Sequence, residues 1–227
     1  MSAEQALAEL SAQADPVRAE QMRAYHKVDR PYLGLSNGQI SALATEWRKS
    51  LPLADCVALS DALWSSNIFE ARIACGKLFL QARIRPDDAL AWEAISRFVP
   101  EFDSWAIADA VAQAGTKRLL QNPARLDEIE GWTSSEHLWA RRAALVFTLC
   151  YTKSRFPKPE ELAARDRILG WCAAYVDDKN WFIQKAVAWW LRDLSRKDAP
   201  RTRAFLEEHG ARLKPFARKE AARYLEG

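Results

Sequence analysis

A short pattern recurs three times along this chain of 227 residues: an aromatic residue, a basic residue three positions later, and then small apolar residues. It occurs as Phe69-Glu-Ala-Arg72, Trp139-Ala-Arg-Arg142 and Phe182-Ile-Gln-Lys185. With Trp105 included, the aromatic residues are 36, 34 and 43 positions apart, close to the length of a HEAT-type pair of helices. The repetition predicts an all-α fold, a short α-solenoid of HEAT-like repeats.

The composition agrees with helices, because the chain has only 8 Gly and 10 Pro, and the segments between the prolines lack the alternation of strands. Stacked helical pairs curve, and the second helix of each pair lines the concave face. The basic residues of the repeats, Arg72, Arg142 and Lys185, are therefore predicted to lie along one track on that face. No strong linker interrupts the sequence, so we expect a single domain over residues 1–227.

Several classes of protein are disfavoured by what the sequence lacks. The longest strongly apolar stretch, residues 143–151, is far shorter than the roughly 20 residues of a membrane span. The N-terminus has no basic segment followed by an apolar one, which favours a cytoplasmic protein. The four cysteines form no C-x-x-C pair and the three histidines are isolated, so we expect neither a metal nor a cofactor.

The charge is distributed unevenly. Residues 1–120 carry 13 Lys and Arg against 15 Asp and Glu, whereas residues 121–227 carry 20 against 15. An anionic partner would approach the second half, although a bias of this size is also common on solvated helix faces.

Two pairs of residues lie four positions apart and so share one face of a helix: Trp105 with Asp109, and Lys185 with Trp189. A purely structural interpretation stays open. In it the tryptophans fill the core, Asp109 is a solvated helix residue and Arg142 forms a salt bridge on a helix face.

The ordered set of segments resembles the bacterial DNA alkylation repair glycosylases of the AlkD type. The matching segments are Ala19-Glu-Gln-Met-Arg-Ala-Tyr25, Tyr32-Leu-Gly-Leu35, Leu63-Trp64, Phe69-Glu-Ala-Arg72, Trp105-x-x-x-Asp109, Trp139-Ala-Arg-Arg142-Ala-Ala and Phe182-Ile-Gln-Lys-Ala-Val-Ala-Trp189-Trp-Leu-Arg192. These segments are spread over most of the chain and occur in the same order as in the family. The ordered set is more specific for the family than any single segment.

The resemblance implies a catalytic set of Trp105, Asp109, Arg142 and Trp189. A purine alkylated at N3 or N7 is already cationic and leaves without protonation, so a site for it must stabilise positive charge. Two indoles hold the cation, a carboxylate stabilises the oxocarbenium-like sugar, and the arginine grips a phosphate. Further DNA contacts are implied at Tyr25, Arg72, Arg141, Lys185 and Arg192.

We therefore expect a monofunctional DNA glycosylase that excises alkylated purines from double-stranded DNA. It would act as a monomer in the cytoplasm, associated with the nucleoid and not with a membrane. Two other functions stay open: a non-catalytic protein that binds distorted or branched DNA, and a protein–protein scaffold. A shifted alignment also stays open, in which Phe102 replaces the first tryptophan and Ala106 replaces the carboxylate.

Overall fold

The computed structural model describes residues 1–225, and this part of the chain consists of α-helices, short 3-10 helices and loops, without any strand. The α-helices are α1 (Ala3–Ser11), α2 (Pro16–His26), α3 (Asn37–Ser50), α4 (Leu53–Ser65), α5 (Phe69–Leu78), α6 (Ala89–Phe98), α7 (Trp105–Gln121), α8 (Leu126–Trp132), α9 (Leu138–Phe147), α10 (Pro159–Ala174), α11 (Trp181–Ser195), α12 (Ala199–His209) and α13 (Pro215–Ala221). None of these helices is both long enough and apolar enough to span a membrane.

Polar side-chain caps determine where three of the helices with candidate residues begin, namely α2, α7 and α11. Asp15 accepts a hydrogen bond from the backbone N–H of Arg18 at 3.0 Å, which starts α2 with proline in its first position. Ser104 caps α7 and Asn180 caps α11 in the same way. The first residue inside each of these two helices is a tryptophan, so the caps place Trp105 and Trp181 at helix N-termini.

The chain divides into two compact units, the first spanning Met1–Asn122 and the second beginning at Pro123. In the first unit α5 contacts α3 and α7, and it also packs against α4. In the second unit α11 contacts α9, α12 and α13. Alternate helices therefore pack side by side in each unit, as HEAT-like repeats require, and the prediction of an all-α repeat fold is confirmed. The single domain remains a prediction.

Helix α5 is buried along nearly its whole length, and Arg72 is its one residue that is not fully buried. Its carboxylate Glu70 has no exposed surface and accepts hydrogen bonds from the backbone N–H groups of Leu33 at 2.9 Å and Gly34 at 2.7 Å. A buried carboxylate is tolerated when such donors satisfy it. Glu70 therefore joins the loop after α2 to the centre of the first unit.

The contact between α5 and α7 requires a glycine. A Cβ atom at Gly76 would lie 2.6 Å from the carbonyl oxygen of Ala110 and 2.9 Å from the Cα atom of Val111, both in the backbone of α7. Backbone atoms cannot rotate away as a side chain can. The close approach therefore depends on the absence of a side chain at position 76.

We predict that Gly76→Ala destabilises the protein by about 3 kcal/mol, because the added methyl group forces α5 and α7 apart. Denaturant unfolding of the purified variant measures this loss. Gly170→Ala is the matched control, since nothing lies within 4 Å of a Cβ atom there and alanine is the better helix former. Equal stability of Gly76→Ala and the wild type would contradict this account of the helix contact.

Candidate functional site

Five rings from four segments of the first unit form one group, which we call the aromatic cluster: Tyr25, His26, Tyr32, Phe69 and Trp105. The ring centre of His26 lies 4.5 Å from that of Phe69 and 5.4 Å from that of Trp105. Tyr25 meets Trp105 edge to face at 6.2 Å, and Tyr32 stacks on Phe69 at 4.8 Å. Trp105 is therefore held at the edge of a packed group and is itself half-buried.

Trp105 and Asp109 lie one turn apart at the start of α7, and both are half-buried. Three residues earlier, Phe102 is only 1% exposed and belongs to the core. Phe102 therefore has almost no surface for a ligand to contact, whereas Trp105 is partly exposed. This difference favours the alignment that pairs Trp105 with Asp109 over the shifted one.

His26 has an unusual environment for a titratable group. Its Nδ1 atom is buried, and no described residue hydrogen-bonds to it. Burial among rings lowers the pKa of His26 below its ordinary value of 6.5. The imidazole beside Trp105 is thus kept neutral.

Arg72 is enclosed by partners within the first unit. Its guanidinium carbon lies 4.6 Å from the ring centre of Trp64, and its Nε donates to the carbonyl oxygen of Trp64 at 3.3 Å. Its other nitrogens lie 4.0 Å from Glu101 and 3.9 Å from Asp103. Arg30 also pairs with Asp103. A phosphate would compete with these two carboxylates for Arg72.

The second unit contains the adjacent arginines of α9. Arg142 is 4% exposed and donates from Nη1 to the carbonyl oxygen of Phe182 at 3.2 Å, which ties α9 to the start of α11. Arg141 lies 3.3 Å from Asp178 and donates to the carbonyl oxygens of Ser135 and Glu136, each at 2.9 Å. Both guanidinium groups are therefore fixed by the fold.

The exposed stripe of α11 carries the remaining predicted residues. Lys185, Trp189 and Arg192 share one face of the helix and are half-buried. Glu220 of α13 contacts both cations, with its Oε2 atom 2.7 Å from Nζ of Lys185 and its Oε1 atom paired with Arg192. Arg192 also lies 3.2 Å from Asp193. The structure thus brings the two predicted cations together around one carboxylate.

A row of rings lies beside this stripe. The ring centres of Trp139 and Phe182 are 4.7 Å apart, those of Phe182 and Trp181 are 5.1 Å apart, and Trp181 stacks on Phe216 at 5.9 Å. An open cavity of about 550 Å³ has five residues from α13 and its C-terminal end in its wall: Phe216, Lys219, Glu220, Ala222 and Arg223. Glu220 therefore faces open space as well as the two cations.

Sequence reasoning missed His26 and Glu220. His26 directly follows Tyr25, but an isolated histidine lacks the partners of a metal or catalytic site and so gives no signal in the sequence. Glu220 lies 35 residues after Lys185, in a short helix that carries no repeat signature. Only the packing of α13 against α11 joins it to the predicted cations.

The described residues contain no group of three or more His, Cys, Asp or Glu placed to hold a metal ion. The four cysteines are free thiols. Burial raises the pKa of Cys75 and Cys172 far above the ordinary thiol value, and it raises that of Cys150 to about 12. These thiols are thus protonated at neutral pH and poorly nucleophilic.

Comparison with known proteins identifies one family. The model of the family described as DNA alkylation repair enzyme matches residues 6–225. Among curated proteins there is no match to the sequence.

Solved structures share the fold. A protein described as a predicted DNA alkylation repair enzyme from Enterococcus faecalis superimposes with a TM-score of 0.80 at 23% identity, covering 94% of this chain and 97% of that one. AlkD2 from Streptococcus mutans superimposes with a TM-score of 0.68 at 17% identity, and the match covers 100% of both chains. The protein smu.31 from Streptococcus mutans UA159 superimposes with a TM-score of 0.62 at 18% identity, covering 82% of this chain and 92% of that one.

The environment of His26 predicts a pH effect on stability. Because its pKa is lower in the folded state, the unfolded chain binds a proton more readily as the pH falls below 6.5. The stability from neutral His26 is therefore complete above pH 6.5 and is lost as the pH falls through the folded-state pKa. Denaturant unfolding between pH 7 and pH 5 should show a smaller loss for His26→Phe than for the wild type. If the free energy of unfolding fell equally with pH in His26→Phe and in the wild type, the lowered pKa of His26 would be contradicted.

Proposed function

The chain belongs to the DNA alkylation repair enzyme family, and from this membership we propose that it is a DNA glycosylase. It removes purines alkylated at N3 or N7 from double-stranded DNA by hydrolysing the N-glycosidic bond. The reaction is monofunctional and uses the side chains of the protein without a cofactor.

The pairing of Trp105 with Asp109 carries the proposal. An indole attracts a cation to its face, and a carboxylate one turn away stabilises positive charge that develops beside it. Both side chains are half-buried, so they remain accessible while water is partly excluded. The neighbouring His26 is kept neutral by burial and adds no repulsive charge.

The chemistry assigned to Asp109 follows from the charge of the substrate. When the bond from C1′ to the purine breaks, its electrons neutralise the cationic base, and positive charge moves to the sugar. Asp109 stabilises that charge and orients a water molecule, whose oxygen bonds to C1′. The released proton passes to the carboxylate and then to solvent.

The second unit contributes Trp189 and Arg142 to the proposed catalytic set. Trp189 offers a second indole face for the cation, worth about 0.5–2 kcal/mol depending on how dry the contact is. Arg142 binds a backbone phosphate beside the lesion. Its hydrogen bond to the carbonyl oxygen of Phe182 fixes the guanidinium at the start of α11.

Five further side chains are proposed to contact DNA: Tyr25, Arg72, Arg141, Lys185 and Arg192. Tyr25 is 70% exposed and reaches DNA without rearrangement. The four cations are paired with carboxylates of the protein, so phosphates must compete for them. We also propose that a concave basic face holds the duplex, and that the protein acts as a monomer on chromosomal DNA in the cytoplasm.

We predict that Asp109→Asn lowers the single-turnover release of 7-methylguanine and 3-methyladenine from methylated duplex DNA at least 100-fold, as expected for loss of a stabilising charge. Binding of undamaged duplex should change little, because a carboxylate such as Asp109 does not bind phosphates. Asp55→Asn, at an exposed aspartate of α4, is the matched control and should retain release.

Equal release by the wild type and Asp109→Asn would contradict the role of the carboxylate. Absence of release by the wild type, with salt-sensitive DNA binding retained, would replace the glycosylase proposal with a non-catalytic reader of DNA structure. Thermal melting of each variant confirms that the compared proteins are folded.

A further inference from the structure

The carboxylate of Glu220 joins two cations that lie well apart on α11. Its Oε2 atom is 2.7 Å from Nζ of Lys185, and its Oε1 atom pairs with Nη1 of Arg192. Positions 185 and 192 are separated by about 10 Å along the helix axis. Trp189 lies between them on the same face, four residues after Lys185 and three before Arg192. Glu220 therefore spans the part of α11 that presents Trp189.

The charges on this face of α11 balance. Lys185 and Arg192 are matched by Glu220 and Asp193, and Asp193 also pairs with Lys153, whose side chain is 60% exposed. Burial by itself would raise the pKa of Glu220, but the hydrogen bonds and charges of Lys185 and Arg192 lower it below its ordinary value. Glu220 is thus ionised at neutral pH and, together with Asp193, keeps the two cations neutralised.

We infer that Glu220 is a positioning residue that determines specificity, because together with Asp193 it neutralises the two cations beside Trp189 and so allows a cationic base to approach this indole. This inference rests on the proposed glycosylase function and extends it to a residue outside the predicted site. Without Glu220, Arg192 keeps only Asp193 and Lys185 loses its carboxylate partner, so one positive charge next to Trp189 is uncompensated. That charge repels an alkylated purine and attracts phosphates of undamaged DNA.

The position of Glu220 also suits a role in selecting substrates. It lines the open cavity together with Phe216 and Lys219, so a ligand that enters this cavity meets Glu220. Only 19% of its side chain is exposed, so the charge pairing is weakly screened by solvent. A phosphate binds these cations only by displacing Glu220, which lowers affinity for undamaged DNA.

The test compares Glu220→Gln with Glu220→Asp in single-turnover release of 7-methylguanine and in binding of undamaged duplex over a salt series. The glutamine preserves size and removes charge, whereas the aspartate preserves charge and shortens the side chain. We expect Glu220→Gln to release the base about tenfold more slowly, equivalent to about 1.4 kcal/mol. We expect its logarithmic salt slope to become steeper by about 0.9, one additional phosphate contact.

Two further variants distinguish an effect of the charge of Glu220 from an effect on the structure. In Lys185→Gln/Glu220→Gln the balance of charge is restored. At enzyme concentrations that saturate the DNA, where loss of the DNA contact of Lys185 does not affect the rate, release should recover from the level of Glu220→Gln. Asp166→Asn is the matched control, because Asp166 pairs with Arg201 at 2.8 Å between α10 and α12, and its loss leaves Arg201 with Asp198 alone, elsewhere in the same unit. It should show wild-type release and a wild-type salt slope.

The outcomes distinguish this inference from the proposed function. If the wild type is active and Glu220→Gln has the same rate of base release and the same salt slope, the role of Glu220 is overturned but the glycosylase proposal is not. If Glu220→Gln and Glu220→Asp lose base release equally and the double variant does not recover it, the role of Glu220 is also overturned, because the residue would then be needed only for the structure. A wild type that neither binds DNA nor releases a base would overturn both proposals.

Discussion

Burial of one central helix on nearly all its sides is the constraint on which each unit depends. In α5 only Arg72 escapes full burial, and α11 is buried except at its first two residues, at Asp193 and at the stripe of Lys185, Trp189 and Arg192. A helix in this position has almost no freedom to rotate, because any rotation would bring polar groups into the core. The few side chains that remain accessible are therefore held in fixed directions by the packing of all the others.

The same constraint explains how the charges are used. The second half of the chain has an excess of basic residues, yet Arg141, Lys185 and Arg192 are each paired with aspartate or glutamate inside the second unit. Half-buried cations on a packed helix need such partners, since an unpaired charge there would be costly. The charge available to an anionic ligand is therefore set by a few carboxylates such as Glu220, and net charge alone says little about it.

The neutral His26 and the neutralised Lys185 and Arg192 have one consequence in common. Each lies near a tryptophan of the proposed catalytic set, and in each case the protein removes positive charge from its vicinity. Desolvation achieves this at His26, and ion pairing achieves it on α11. An environment of this kind suits a ligand that brings its own positive charge.

The amino-acid sequence by itself determined the helical repeats, the family and the helix positions of Trp105, Asp109 and Trp189, because periodicity and spacing are local properties of the chain. It also placed Arg72 and Lys185 at equivalent points of the repeats, but it did not reveal their partners. Only the tertiary structure decided that Phe102 is in the core, that rings enclose His26, and that Glu220 joins Lys185 to Arg192. These contacts link residues that are distant in sequence, and they form only when helices pack, so no local pattern encodes them.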